Sequence, residues 1–211
     1  MDITWLGHSS VKIVSRDVEL VTDPYPDTIG FSMGEQRADI VTVSNDHPNH
    51  SDVGRISGDP RVLQGPGQYE VMGYNIQGMG AKLEESEGIR RINTVFVFRS
   101  EGLSVCHLGD LNQRLTPSQL DSMGGIDVLI APAGGECTLE VREIVRLANV
   151  MAPKIVVPVH YGFETTTEML EPVEKILTEL GVAEATAQPR LNVTPTNLPR
   201  EMQAVVLRKA S

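Results

Sequence analysis

Apolar and β-branched positions in the first half of the chain fall in short runs separated by polar breaks. Ile3–Leu6, Val11–Val14 and Val18–Thr22 read as strands joined by tight turns. Ala38–Ser44 (ADIVTVS) is a mostly apolar run that ends in a polar loop containing histidine. Arg61–Gln64, Gln68–Met72 and Tyr74–Gly78 predict three more strands, split by Gly-Pro-Gly and Met-Gly. Thr94–Arg99 (TVFVFR) is apolar on both faces, which predicts a strand buried from both sides. Leu103–Leu108 follows the turn Ser100-Glu101-Gly102 as a further strand.

After residue 115 the period changes. Thr116–Met123 opens with Thr-Pro, an N-cap followed by proline at the first helical position. Asp127–Ala131 (DVLIA) reads as a buried strand. Leu139–Met151 places Val141, Ile144, Val145 and Ala148 on one helical face. Lys154–Val159 predicts a strand, Thr166–Leu180 a helix ending at Gly181, and Gln203–Arg208 a last strand. A strand meander followed by alternating strands and helices implies an α/β (α+β) fold. Two mixed sheets packed face to face with helices outside, a four-layer αββα sandwich, bury the strands as these runs require. No internal repeat, low-complexity segment or linker interrupts residues 1–211, so one domain is expected.

Composition narrows the function classes. The 211 residues are 40% hydrophobic and 22% charged, values of a globular chain. A net charge of −10 repels phosphate backbones and anionic lipid, and Arg90-Arg91 is an isolated basic pair. Nucleic acid and membrane partners are therefore not expected. A small-molecule substrate or ligand is expected, and a homo-oligomer is compatible with the sequence. Cys106 lies in an apolar run and Cys137 in a Gly-rich loop, so no disulfide framework is indicated. The start MDITWLGHSS lacks the pattern of a secretory signal. A cytoplasmic location is the expectation.

The chemistry-bearing residues are few. Of the five histidines, His8, His47, His50, His107 and His160, four lie at or just beyond strand ends, where open sheets place ligand sites. His47 and His50 stand three residues apart in the loop after ADIVTVS, and His160 ends the run Ile155–Val159. Asp110 follows His107-Leu108-Gly109, a position suited to binding a metal or an imidazole. His107 reads as a structural hydrogen-bonding residue. His8 either lines the same face or orders the first hairpin. Asp23 either buttresses a loop histidine or caps a turn. Gly134-Gly135 reads as a tight turn ahead of room for substrate, Tyr161 as a packed strand-end residue ahead of one reaching the cleft, and Cys137, a nucleophile by residue type, has no histidine near it in sequence.

Taken in order, several short motifs resemble the metallo-β-lactamase superfamily, in its small single-domain, lactonase-like branch of metal-dependent hydrolases. They are Trp5-Leu6-Gly7-His8-Ser9, Thr22-Asp23-Pro24, the histidine loop, Gly65-Pro66-Gly67, Asn93-Thr94, Leu108-Gly109-Asp110-Leu111, Pro132-Ala133-Gly134-Gly135 and Pro158-Val159-His160-Tyr161. The resemblance implies the αββα sandwich and a centre of two metals, commonly zinc, in a loop His-x-His-x-Asp-His. A later-strand His, a bridging Asp and a final His complete that set. In this chain the loop reads Asn45, His47, Asn49, His50, the bridging Asp is Asp110 and the final His is His160. The later-strand His, due near Lys82 or Leu83, is absent, since no histidine lies between His50 and His107.

The resemblance thus leaves His47 and Asp110 at one metal position, too few for zinc. It leaves His50, Asp110 and His160 at the other, the ligand count of a catalytic site. Asp46, beside His47, stands where the family handles protons, and Asp46 and His47 are the expected catalytic pair. One reading is a hydrolase with at most one zinc or other divalent ion, acting on an ester, lactone or phosphoester. The alternative is a catalytically inactive, metal-free relative that serves as a binding or regulatory module. A nucleic-acid-processing enzyme ranks last, because the chain has neither a basic surface nor an added domain.

Overall fold

The computed structural model describes residues 1–30, 32–83, 92–163, 169–182 and 185–210. The first sheet gathers β1 (Asp2–Gly7), β2 (Ser10–Ser15), β3 (Val18–Thr22), β5 (Ile40–Val43), β7 (Arg61–Gln64) and β14 (Leu191–Asn192) in the order β14-β1-β2-β3-β5-β7. The second gathers β8 (Gly67–Val71), β9 (Tyr74–Lys82), β10 (Ile92–Ser100), β11 (Leu103–His107), β12 (Val128–Pro132), β13 (Ile155–Val159) and β15 (Gln203–Ala204), ordered β15-β13-β12-β11-β10-β9-β8. β4 (Gln36–Arg37) and β6 (Ile56–Ser57) form a small parallel ribbon.

Both sheets are built on one plan. The hairpin-linked strands β1 to β3 and β8 to β11 pair antiparallel. Then β3-β5-β7 and β11-β12-β13-β15 pair parallel. Strand alternation sorts the side chains of the first sheet. Ile3, Trp5, Val11, Ile13, Leu20 and Ile40 enter the main core, which they share with Ile76, Val95, Val97, Val105 and Leu129 of the second sheet. Leu6, Val21, Val41 and Val43 face the other way, into a second core with Tyr25, Ile29, Met33 and Ile56. That outer face is covered by the β4–β6 ribbon and by 3₁₀ turns at Asp27–Ile29 and Val53–Arg55.

The described α-helices are α1 (Pro48–Ser51), α2 (Pro117–Met123), α3 (Val141–Met151) and α4 (Val173–Glu179). α2 starts where Thr-Pro predicts: Thr116 Oγ1 accepts the Gln119 amide and Gln119 Oε1 accepts the Thr116 amide, a capping box. α3 buries Val141, Ile144, Leu147 and Ala148, so Leu147 takes the deep position expected of the half-buried Val145.

The helix expected over Thr166–Leu180 starts later, at Val173. Pro172 is its N-cap and disfavours helical backbone at Glu171. The Glu171 amide and carbonyl are instead bonded to Gly134 and Gly162. Residues 164–168, and the Arg90-Arg91 pair, lie outside the described residues. The last strand is shorter than expected: β15 covers Gln203–Ala204, and Leu207 bridges separately to Gln188. Among the described residues no helix is long and apolar enough to cross a membrane.

Candidate metal centre

The site forms where the parallel strands end, the position at which open sheets leave a crevice. Asp23 follows β3, the loop Ser44–His50 follows β5, Asp110 follows β11, Cys137 follows β12, and His160 follows β13. His8 comes from the turn between β1 and β2 and is tied to the second sheet, since the His160 amide donates to the His8 carbonyl at 2.9 Å. The same carbonyl accepts Trp5 Nε1–H at 2.9 Å. Trp5 stacks on Tyr161 with ring centroids 4.9 Å apart, so Tyr161 is a buried packing residue, its hydroxyl pKa pushed up by burial.

His8, Asp23 and His160 all hold left-handed backbone, with φ of 48°, 42° and 50°. Such a conformation costs about 1–3 kcal/mol at a residue other than glycine and clusters at functional sites. Glycines absorb the tightest approaches. A Cβ at Gly109, where φ is 62°, would lie 2.5 Å from Ser44 Cβ and 2.6 Å from Asn93 Oδ1. Asn93 clamps this turn by donating to the Leu108 carbonyl at 2.8 Å and accepting the Asp110 amide at 2.9 Å. A Cβ at Gly134 would lie 2.5 Å from the His160 carbonyl oxygen, so the loop carrying Cys137 presses directly on His160.

Asp23 organises the buried side of the site. Its carboxylate accepts the Ser44 amide at 2.7 Å, the Ser44 hydroxyl at 2.6 Å and His50 Nδ1–H at 2.8 Å. Burial alone would raise this acid. The bond and charge of His50, with help from His107 and Ser44, outweigh it and hold Asp23 at about 2. Donation from Nδ1 leaves His50 Nε2 as the ring's lone-pair nitrogen, facing Asp110. Of the two readings of Asp23, the structure selects the buttress.

Around that nitrogen the donors converge. His50 Nε2 lies 3.8 Å from Asp110 Oδ2, and His160 Nδ1 lies 3.8 Å from Asp110 Oδ1. One ligand nitrogen each from His8, His50 and His160 lie within 4.8 Å of one another, with all three rings buried. A second group, Asp110, Cys137 and His160, meets the same limit. Two ligands of one zinc ion can be at most roughly 4.4 Å apart. The 3.8 Å separations are too long for direct hydrogen bonds but suit a shared ion. Asp110 Oδ1 is itself buried with no hydrogen-bond partner, as expected of an oxygen reserved for a cation.

The sequence-predicted residues are therefore brought together unequally. His50 falls in one donor group with His8 and His160, and Asp110 in the other with Cys137 and His160, so the two groups meet at His160, and His50 and His160 each face one oxygen of Asp110 at 3.8 Å. His47 stands in neither donor group; it caps α1, its Nδ1 accepting the Asn49 amide at 3.2 Å, with its ring centroid 6.3 Å from that of His50. Asp46 is exposed and lines a cleft of about 270 Å³ with Asn45, Gln64 and Thr94. Asn45 shapes the loop, its Oδ1 accepting the His47 amide at 2.9 Å. His107 is structural, as expected. Its buried Nε2–H donates to the Ser9 carbonyl at 2.8 Å, and burial lowers its pKa. His8, which the sequence leaves open between lining this face and ordering the first hairpin, stands among the donors, and so does Cys137, which the sequence does not assign to the metal. The available signal for the Cys137 loop was Gly134, where the backbone approaches that of His160 closely.

Comparison with known proteins agrees with this architecture. The model of the β-lactamase superfamily domain matches residues 2–160. A UPF0173 protein of Pyrococcus furiosus is 30% identical over 184 residues, covering 77% of this chain and 84% of its own. A UPF0173 metal-dependent hydrolase of Methanopyrus kandleri is 24% identical, covering 86% and 94%. A crystal structure from Thermotoga maritima, assigned as a Zn-dependent hydrolase, superposes with a TM-score of 0.80 at 33% identity, covering 98% of this chain and 97% of that one. With the sandwich, the strand-end site and these matches in agreement, the chain belongs to the metallo-β-lactamase superfamily, within the UPF0173 group.

Proposed function

We propose that the protein is a metal-dependent hydrolase with a single divalent ion, zinc by preference, held by His50, Asp110 and His160. The observation that carries this reading is the Asp23–His50–Asp110 line. A buried carboxylate fixes the His50 tautomer, and the opposite nitrogen faces a carboxylate whose Oδ1 is buried without a hydrogen-bond partner. His8, with its ring centroid 3.9 Å from that of His160, supplies a further imidazole to the same cluster. When bound, such an ion acidifies water and polarises a carbonyl or phosphoryl oxygen, the chemistry of ester, lactone or phosphoester hydrolysis. Asp46, exposed in the loop that carries His50, is the candidate for moving protons to and from solvent, and His47 stands beside it with its Nδ1 engaged.

The single ion follows from the loop. Asn45 and Asn49 stand where the family has a histidine and a carboxylate, and neutral amides are poor zinc ligands. Metal analysis of protein purified without chelator should give one ion per chain. Hydrolysis of a panel of lactones, carboxylic esters and phosphoesters should be lost with chelator and in His50→Ala. Metal-free protein that takes up neither zinc nor manganese in calorimetry would instead favour a binding or regulatory module.

A further inference from the structure

The donor group His8, His50 and His160 offers a divalent ion no negative charge, and Asn49 stands in the loop where the family has a carboxylate. Besides Asp110, a second anionic donor stands beside the cluster. Cys137 Sγ lies 4.0 Å from His160 Nε2, and it falls with Asp110 and His160 in a donor group spanning at most 4.8 Å. The contact is built by the fold. Gly134 lets the strand-end loop lie against the His160 backbone. The Thr138 amide returns to the Gly135 carbonyl at 2.9 Å, and the Leu139 amide to Leu111 at 2.8 Å, closing the loop on both sides of Cys137. On the facing wall, Asp110 Oδ1 is buried without a hydrogen-bond partner. A carboxylate and a thiol set this close around one imidazole gain from a cation between them. With one ring nitrogen taken from His160, the Asp110 oxygen, the Cys137 sulfur and that nitrogen lie within 4.8 Å of one another, and small shifts bring them to the roughly 4.4 Å that sulfur–zinc and nitrogen–zinc bonds together span.

We propose that Cys137 is a thiolate ligand of the metal centre. The site becomes a mixed nitrogen, oxygen and sulfur centre, and the thiolate restores the negative charge that Asn49 lacks. On binding, the Cys137 S–H bond breaks, the proton passes to solvent and the sulfur electron pair forms the bond to the ion. Such a donor set favours zinc or cobalt over manganese or magnesium. The inference rests on the metal reading above, and one titration separates the two.

The full chain, stripped with chelator, is titrated with Co²⁺ and followed from the near-ultraviolet into the visible. Visible bands report the centre and an intense near-ultraviolet charge-transfer band reports the thiolate. Both should rise together to one equivalent. In Cys137→Ser the near-ultraviolet band should vanish while visible bands remain, with affinity lowered roughly tenfold or more. Zn²⁺ should also protect Cys137 from iodoacetamide in the native protein. Visible bands without the near-ultraviolet band, or a band that survives Cys137→Ser, would overturn the thiolate and leave the metal centre standing. No cobalt spectrum at all would overturn both.

Discussion

At the scale of single residues, the two cysteines have opposite environments. Cys106 is buried in β11, and burial pushes its thiol up to about 12. Cys137 is exposed. Iodoacetamide should therefore add one label to native, metal-stripped protein at pH 8 and two after denaturation, counted by intact mass; two labels on the native chain would contradict the buried strand. Asp23 is the residue on which most of the site leans. Its pKa is depressed from an ordinary value near 4 to about 2. A carboxylate depressed on folding contributes stability that is complete above the unfolded pKa and lost as pH falls through the folded one. Metal-free protein should thus lose this contribution between about pH 4 and pH 2. In Asp23→Asn, urea melts should show lower stability at pH 7 and a shallower fall across that acid window. An unchanged acid slope would place the linkage elsewhere.

At the scale of elements, the strands were legible because burial imposes a period on them. β10 was readable as doubly buried from Thr94–Arg99 alone. α2 was readable from Thr-Pro, since a cap is local chemistry. What the period could not give was how tightly two strand-end turns press together. Gly109 is the sharpest case, with φ of 62° and a hypothetical Cβ 2.5 Å from Ser44. Gly109→Ala adds left-handed strain to overpacking and should destabilise by about 2–4 kcal/mol. Gly125, with open space around its Cβ position and no positive φ, is the matched control, and Gly125→Ala should stay within about 1 kcal/mol. Equal midpoints for the two variants in chemical denaturation would contradict the clamp between Gly109 and the Ser44 loop. The helix start at Val173 was missed for a related reason: the backbone of Glu171 is committed to Gly134 and Gly162, partners far away in sequence.

At the scale of the whole molecule, the centre joins the two sheets. His8 and His50 come from the first, and Asp110, Cys137 and His160 from the second. That explains why the site was only half legible. His50, Asp110 and His160 stand in motifs that imply ligands, and His8 in one that left its role open, whereas Cys137 joins them through three-dimensional convergence that no spacing along the chain encodes. It also makes the ion a fastener between sheets. A ligand that binds only the folded chain stabilises it by about 2.7 kcal/mol at a hundredfold excess over its Kd. For a chain of this length that corresponds to a rise in Tm of roughly 5–10 °C. Chelator-stripped protein should melt lower by this amount than protein with saturating Zn²⁺. The rise should disappear in His50→Ala and persist in His47→Ala, because His50 lies inside the converging donors and His47 outside them. The comparison is of shifts, not absolute melting points, so a variant that is merely less stable does not mimic the result. A zinc-dependent rise that survives His50→Ala would place the ion away from this junction.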